Sequence, residues 1–304
     1  MKEQFISWNP NAISKKLIEI TQEIFDSYRE MGYKLTLRQL YYQLVKGNLL
    51  PDQWIDPKSG SANNEKSYKK FGNIVSKGRL AGMLDWEMIE DRNRSVIKNS
   101  HWSSPKDILF AAADQFYLSR WENQDNYVFI MAEKDAVSNI AEPVCKKWDV
   151  SFLANKGYNS QSAIYDLYNI LKSKLNDGKI IHCIYLGDFD PSGIDMDRDI
   201  RDRLNLFLGT CGEKIAIERI ALTEAQIRQY SPPENPAKIT DSRYKKYIKK
   251  YGKSSWELDA LDISDLERII ETAILKYMDM AVFDEIAQNE TLIKKDIHEF
   301  ASKY

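Results

Sequence analysis

The chain has 304 residues, 43% hydrophobic and 29% charged, with a formal net charge of −2. That is apolar mass enough for packed cores in about two domains, which excludes a disordered chain, and the near-neutral balance means that a polyanion must be held by local patches. No apolar run nears the ~18 residues of a membrane helix, the opening Met1-Lys2-Glu3-Gln4-Phe5 has no signal-like apolar stretch, and Cys145, Cys183 and Cys211 lie too far apart for a metal knuckle, so reduced thiols in a cytoplasmic protein without a membrane partner are expected.

Apolar residues at Ile13, Leu17, Ile20, Ile24 and Tyr28 predict a helix over 12–31, ended by Gly32. Thr36 reads as the N-cap of a second helix running to Lys46, with Gly47 as its stop. Residues 49–64, with Pro51, Pro57, Ser59, Gly60 and Ser61, read as a loop. A third helix is expected over 65–80. Three short helices followed by a polar segment at 91–98 are similar to a helix-turn-helix or winged-helix module.

The pattern changes near Pro105. After a helix over 106–121, strands at 127–132, 150–154, 180–186 and 215–222 alternate with helices at 136–148, 160–175 and 194–208. Such alternation predicts an α/β domain with a parallel sheet, helices on both faces, and ligands at the carboxyl ends of the strands. The tail, 263–304, reads as helical. The expected division is therefore 1–105, helical and DNA-binding, and 106–304, a sheet domain with a C-terminal extension.

Charge is segregated within the neutral average. Residues 66–98 carry Lys66, Lys69, Lys70, Lys77, Arg79, Arg92, Arg94 and Lys98 against four acids. Residues 238–253 carry Lys238, Arg243, Lys245, Lys246, Lys249, Lys250 and Lys253 against Asp241 alone, interleaved with Tyr244, Tyr247 and Tyr251. Cations with interleaved aromatics suit a phosphate backbone, although a solvated helical face accounts for such a run equally well. The candidate DNA contacts are Lys46, Lys69, Lys70, Lys77, Arg79, Arg243, Lys245, Lys246, Lys249 and Lys250.

Acids stand where the sheet rule places a site. Glu133 follows one strand, and Asp188 and Asp190 follow another in Gly187-Asp188-Phe189-Asp190-Pro191-Ser192-Gly193. Side chains two apart at a strand end point the same way. Three hard carboxylates at neighbouring strand ends suit an Mg²⁺ ion that touches phosphate. The alternative is a turn residue at Asp188 and a helix cap at Asp190. Asp195 and Asp197 read as ordinary first-turn acids. Glu257 and Asp259, after the basic run, read as structural, with reach to the metal site as the alternative.

On the second helix Leu37, Leu40, Tyr41, Leu44 and Val45 form the apolar stripe, while Arg38, Tyr42 and Lys46, at i, i+4 and i+8, share another face. Flanking cations favour a phenolate and neutralise phosphate oxygens, so Tyr42 is a candidate nucleophile.

Together these motifs resemble the A subunit of type IIB DNA topoisomerase VI and its relative, the meiotic double-strand-break transesterase. The resemblance covers roughly residues 30–225 and implies a winged-helix domain followed by a Toprim domain with a helical tail. Arg38-Gln39-Leu40-Tyr41-Tyr42 matches the catalytic stretch, which implies Tyr42 as nucleophile and Arg38 as its assistant. Glu133-Lys134 and the Asp188–Gly193 motif match the Toprim acids, which implies Mg²⁺ on Glu133, Asp188 and Asp190. Lys156-Gly157-Tyr158 matches a further family motif, and Lys134 and Lys156 either touch phosphate or support the acids. In that family the tyrosine of one protomer works with the metal site of the other, so a homodimer cutting double-stranded DNA and leaving a 5′-phosphotyrosyl link is implied. No segment resembles the family's ATPase subunit, so an ATPase partner would be a separate chain, and the form is closest to short, stand-alone A-subunit-like proteins. Two rival readings remain: a Toprim nuclease using metal-activated water, and a non-catalytic DNA-binding protein.

Overall fold

A computed structural model describes residues 2–57, 59–89, 99–154, 161–209 and 215–303. Helix α1 (Ala12–Glu30) starts where the Asn11 side chain accepts the Ser14 N–H, and it buries Leu17, Ile18, Phe25 and Tyr28. Helix α2 (Leu37–Lys46) is fixed by a reciprocal capping box, with Thr36 accepting from the Gln39 N–H and Gln39 accepting from the Thr36 N–H. The loop that follows contains a 3₁₀ turn, Asp52–Trp54, that buries Trp54. Asn64 caps α3 (Glu65–Leu80). Phe25, Leu40, Tyr41, Leu44, Phe71 and Val75 form the core these three helices share. The polar segment expected at 91–98, with Arg92, Arg94 and Lys98, lies outside the described residues.

Helix α4 (Pro105–Gln115) stops short of the predicted end at 121. The apolar pattern of Phe116, Tyr117, Leu118 and Trp121 continues the helix on paper. Tertiary bonds take over instead: the Leu118 N–H donates to Glu290, the Arg120 N–H to Asp149, and the Trp121 indole to the Trp148 carbonyl. Next come β1 (Asn126–Ala132), a 3₁₀ turn (Asp135–Val137), α5 (Ser138–Lys147), β2 (Ser151–Ala154), α6 (Gln161–Asn176), β3 (Ile180–Leu186), α7 (Gly193–Leu208) and β4 (Ile215–Ala221). The four strands form one parallel sheet in the order β2-β1-β3-β4. The central strands β1 and β3 are buried almost throughout, as strands covered on both faces must be.

Register decides where the site forms. Ala132 of β1 pairs with Leu186 of β3. The residues that leave these strands, Glu133 and Gly187-Asp188, therefore emerge side by side although 55 positions separate Glu133 from Asp188.

The chain continues through α8 (Glu224–Tyr230), β5 (Asn235–Pro236), α9 (Tyr244–Tyr251) and β6 (Ser254–Ser255), with β5 and β6 paired antiparallel. A 3₁₀ turn, Leu258–Ala260, leads to α10 (Ile263–Leu275) and α11 (Met280–Lys303), the helical tail the periodicity predicts. The tail is fastened to the α4–β1 connection by a buried Arg120–Glu290 ion pair of 2.9 Å. Among the described residues no helix is long and apolar enough to cross a membrane. Cys145 and Cys183 are buried free thiols, and Cys211 lies outside the described residues.

Candidate active site at the strand ends

Glu133 is buried, and its Oε2 accepts the Asp188 N–H at 2.9 Å. Asp188 is buried too: Oδ1 accepts the Leu258 N–H at 2.9 Å, and Oδ2 meets the Lys134 ammonium at 2.5 Å. Asp190 takes the cap role that the sequence leaves open, its Oδ1 accepting the Gly193 N–H at 2.6 Å and the Ser192 hydroxyl at 3.2 Å. Gly193 is required by crowding, because a Cβ there would lie 2.3 Å from the Asp188 carbonyl oxygen and 2.8 Å from Glu133 Oε2. Arg219 ties down the same turn by donating to the carbonyls of Gly187, Asp188 and Gly193. Asp195 and Asp197 are engaged in ion pairs, Asp195 with Arg198 and Arg243 and Asp197 with Arg219.

The two tyrosines of α2 diverge as the helical period requires. Tyr41 sits in the apolar core and donates to the Ala62 carbonyl at 2.6 Å. Tyr42 is only 2% exposed, yet its oxygen accepts from Arg38 Nη2 at 3.2 Å and from Asn235 Nδ2 at 3.5 Å. It walls a cavity of about 160 Å³ lined also by Arg38, Tyr41, Asn63, Asn64 and Tyr68. Lys46, expected on this face beside Tyr42, is drawn to Asp262 instead. The expected preference for a phenolate is reversed: burial, then the carboxylates of Asp259 and Glu257, outweigh Arg38 and push the phenol up.

Those two carboxylates are the residues that the sequence reading assigns to structure, and they join the site. Arg38 forms an ion pair with Glu257, and its Nε lies 3.6 Å from Asp259 Oδ2. Glu257 Oε2 also meets Lys134 at 3.0 Å. The Asp259 side chain is fully buried, and among the described residues neither of its oxygens accepts a hydrogen bond. What delivers them is a tertiary bridge, Phe189 to Trp256, with backbone bonds of 2.8 and 3.0 Å. The available signal was an Asp-x-Asp-like spacing, Glu257 and Asp259 at i and i+2, matching Asp188 and Asp190.

Burial, followed by Asp188 and Asp190, pushes the Glu133 carboxyl up to about 7. Asp259 is likewise pushed up to about 7, first by burial, with Glu257 and Asp188 adding to it against Lys134 and Arg38. Burial would raise Glu257 too, but Lys134 and Arg38 hold it below its ordinary value. Lys134 stays protonated despite burial because Asp188, Asp259 and Glu257 surround it. Its ion pairs with Asp188 and Glu257 place it among the acids. Lys156 lies outside the described residues.

Four carboxylates (Glu133, Asp188, Glu257, Asp259) thus lie around two cationic side chains, Lys134 and Arg38, with Asp190 adding negative charge beside Glu133. Hard oxygens with an excess of buried negative charge fit Mg²⁺ in chemistry. As arranged, no three of the described acids form a ready metal cage, and Lys134 is the cation that Asp188 and Glu257 share.

The candidate DNA contacts divide. On α9, Lys245, Lys246, Lys249 and Lys250 are exposed, while buried Tyr247 docks the helix by donating to the carbonyls of Phe189 at 3.0 Å and Ser254 at 2.9 Å. Lys77 is exposed, Lys69 pairs with Glu65 at 2.6 Å, and Lys70 lies over the Trp54 ring. Arg79 stacks on Trp86 and donates to its carbonyl, and Arg243 pairs with Asp195 and Asp241. These last two, with Lys46, are occupied inside the protein. No family model, curated protein or solved structure matches the chain.

Proposed function

We propose that the chain cleaves double-stranded DNA by transesterification in the manner of topoisomerase VI A subunits, with a winged-helix-like front and a Toprim-like sheet domain. The observation that carries this reading is the Arg38–Tyr42 pair on a cavity wall, joined through Glu257 and Lys134 to the strand-end acids. Arg38 and Asn235 both donate to the Tyr42 oxygen, which leaves the phenol's own hydrogen free to be given up. The oxygen then bonds to phosphorus as the bond to O3′ breaks. The phenolic proton goes to solvent and O3′ takes one up, leaving a 5′-phosphotyrosyl link and a 3′ hydroxyl. Arg38 neutralises charge on the phosphate. Glu133, Asp188 and Asp190 would hold Mg²⁺, which supplies Lewis-acid stabilisation of the leaving oxygen. The exposed lysines of α9 grip the backbone beside the site.

A second reading, hydrolysis by metal-activated water, is favoured by one observation: the phenol is buried and shifted away from ionisation. Incubation with supercoiled plasmid and Mg²⁺, followed by detergent with and without protease, separates the two. Transesterification predicts nicked or linear DNA that enters the gel freely only after protease, and no product from Tyr42→Phe. Protein-free product that persists in Tyr42→Phe would select the hydrolytic reading.

A further inference from the structure

Strand β4 places a guanidinium behind the acidic turn. Arg219 pairs with Tyr185 of β3, but the next pair is Leu186 with Ala221, so the register slips and Ile220 is an extra residue in β4. A slip of this kind re-aims a side chain at a strand end. The Arg219 side chain is only 12% exposed, and its guanidinium lies 5.0 Å from the centroid of the buried Tyr185 ring. Nη1 donates to the Gly187 carbonyl at 3.1 Å and the Asp188 carbonyl at 3.2 Å, while Nη2 donates to the Gly193 carbonyl. Its contact with an acid, Asp197, is longer at 3.9 Å. The planar fork is therefore spent on main-chain carbonyls, joining the end of β3, the turn and the first residue of α7.

All three strand-end acids are reached from this pair. Tyr185 Oη lies 3.5 Å from Glu133 Oε2. Arg219 holds Asp188 by its carbonyl, and Gly193, held the same way, gives its N–H to Asp190 Oδ1 at 2.6 Å. We propose that Arg219 and Tyr185 are positioning residues that fix Glu133, Asp188 and Asp190 relative to one another, so that Mg²⁺ meets carboxylates already in place. This rests on the assignment of Mg²⁺ to those acids in the strand-cleavage reading. Groups that hold metal ligands from behind govern affinity without touching the metal.

Calorimetric titration of Mg²⁺ into the DNA-free protein tests it, beside adduct formation on supercoiled plasmid over a Mg²⁺ series. Arg219→Lys and Arg219→Gln are each expected to weaken Mg²⁺ binding by about tenfold or more. The Mg²⁺ concentration for half-maximal adduct formation should rise in step, with the metal-free Kd for duplex unchanged. Tyr185→Phe keeps the ring beside Arg219 and loses only the hydroxyl, so it should weaken Mg²⁺ binding by a smaller factor. A role through charge alone predicts otherwise: Arg219→Lys binds like wild type, and Arg219→Gln binds more tightly because a cation beside the acids is gone. Either result overturns the proposal, as does wild-type affinity per folded molecule in all three variants. If the arginine variants do not fold, Tyr185→Phe decides alone, and wild-type affinity there overturns the proposal. Wild-type protein that binds Mg²⁺ but forms no adduct overturns the cleavage reading and leaves the positioning role to the calorimetry. Wild-type protein that binds no Mg²⁺ overturns both.

Discussion

Tyr41 and Tyr42 are neighbours with different surroundings, and on the proposed strand cleavage removing each hydroxyl should have opposite effects. Tyr41→Phe leaves the Ala62 carbonyl without the phenol that donates to it at 2.6 Å. It should cost about 1 kcal/mol in denaturant unfolding and leave DNA adduct formation intact. Tyr42→Phe should retain most stability. Loss of adducts in Tyr41→Phe at full folding would contradict the division. The buried acids set a second expectation. Glu133 and Asp259 have folded values of about 7, above their ordinary 4.5 and 3.8, so their protonated forms favour the native state. Their stabilisation is complete below those ordinary values and is lost as pH rises through about 7. In metal-free buffer the Tm should therefore fall between pH 5 and pH 8, and Glu133→Gln or Asp259→Asn should flatten that fall. A profile as steep in both variants would rule out these carboxyls as its source. At this scale Arg38 and Tyr42 were legible because four-residue spacing on a helix is a local property. Glu257 and Asp259 were not, since the Phe189–Trp256 bridge that delivers them joins segments 67 positions apart, with no periodic trace.

The elements were legible where local chemistry acts alone. The Thr36 cap, the bounds of α3 and the β3 run all fall where their residues predict. The overrun of α4 has the converse cause: its apolar pattern continues, but Glu290 and Asp149 claim the backbone N–H groups that a longer helix would have used. For the basic helix α9, sequence alone could not separate a solvated face from a binding face. The structure sorts its cations into four exposed lysines and an internally paired Arg243. Replacing Lys245, Lys246, Lys249 and Lys250 together by Gln should weaken duplex binding and reduce the magnitude of the slope of log K against log salt by about 3 to 4, since each phosphate contact contributes about 0.9. Arg243→Gln should change that slope by much less than one contact. Fluorescence anisotropy over a salt series reads both, and an unchanged slope in the fourfold variant would remove α9 from the DNA surface.

At the scale of the whole molecule, alternation of strands and helices announced a parallel sheet, and the sheet rule placed the acids at its carboxyl edge. The register that brings Glu133 against Asp188, and the docking of α2 onto that edge, depend on long-range packing that no window of sequence contains. The resulting arrangement is a phenol and guanidinium from the helical part facing an over-acidic strand edge from the sheet part. Its central claim is that the Tyr42 oxygen becomes bonded to DNA. Plasmid cleaved in Mg²⁺, trapped with detergent, digested with nuclease and protease and mapped by mass spectrometry tests this directly. A nucleotide attached by its 5′ phosphate is expected on the peptide containing Tyr42, at that residue. Cleaved DNA with no modified peptide, or with the nucleotide on Tyr41 or Tyr68, would contradict it.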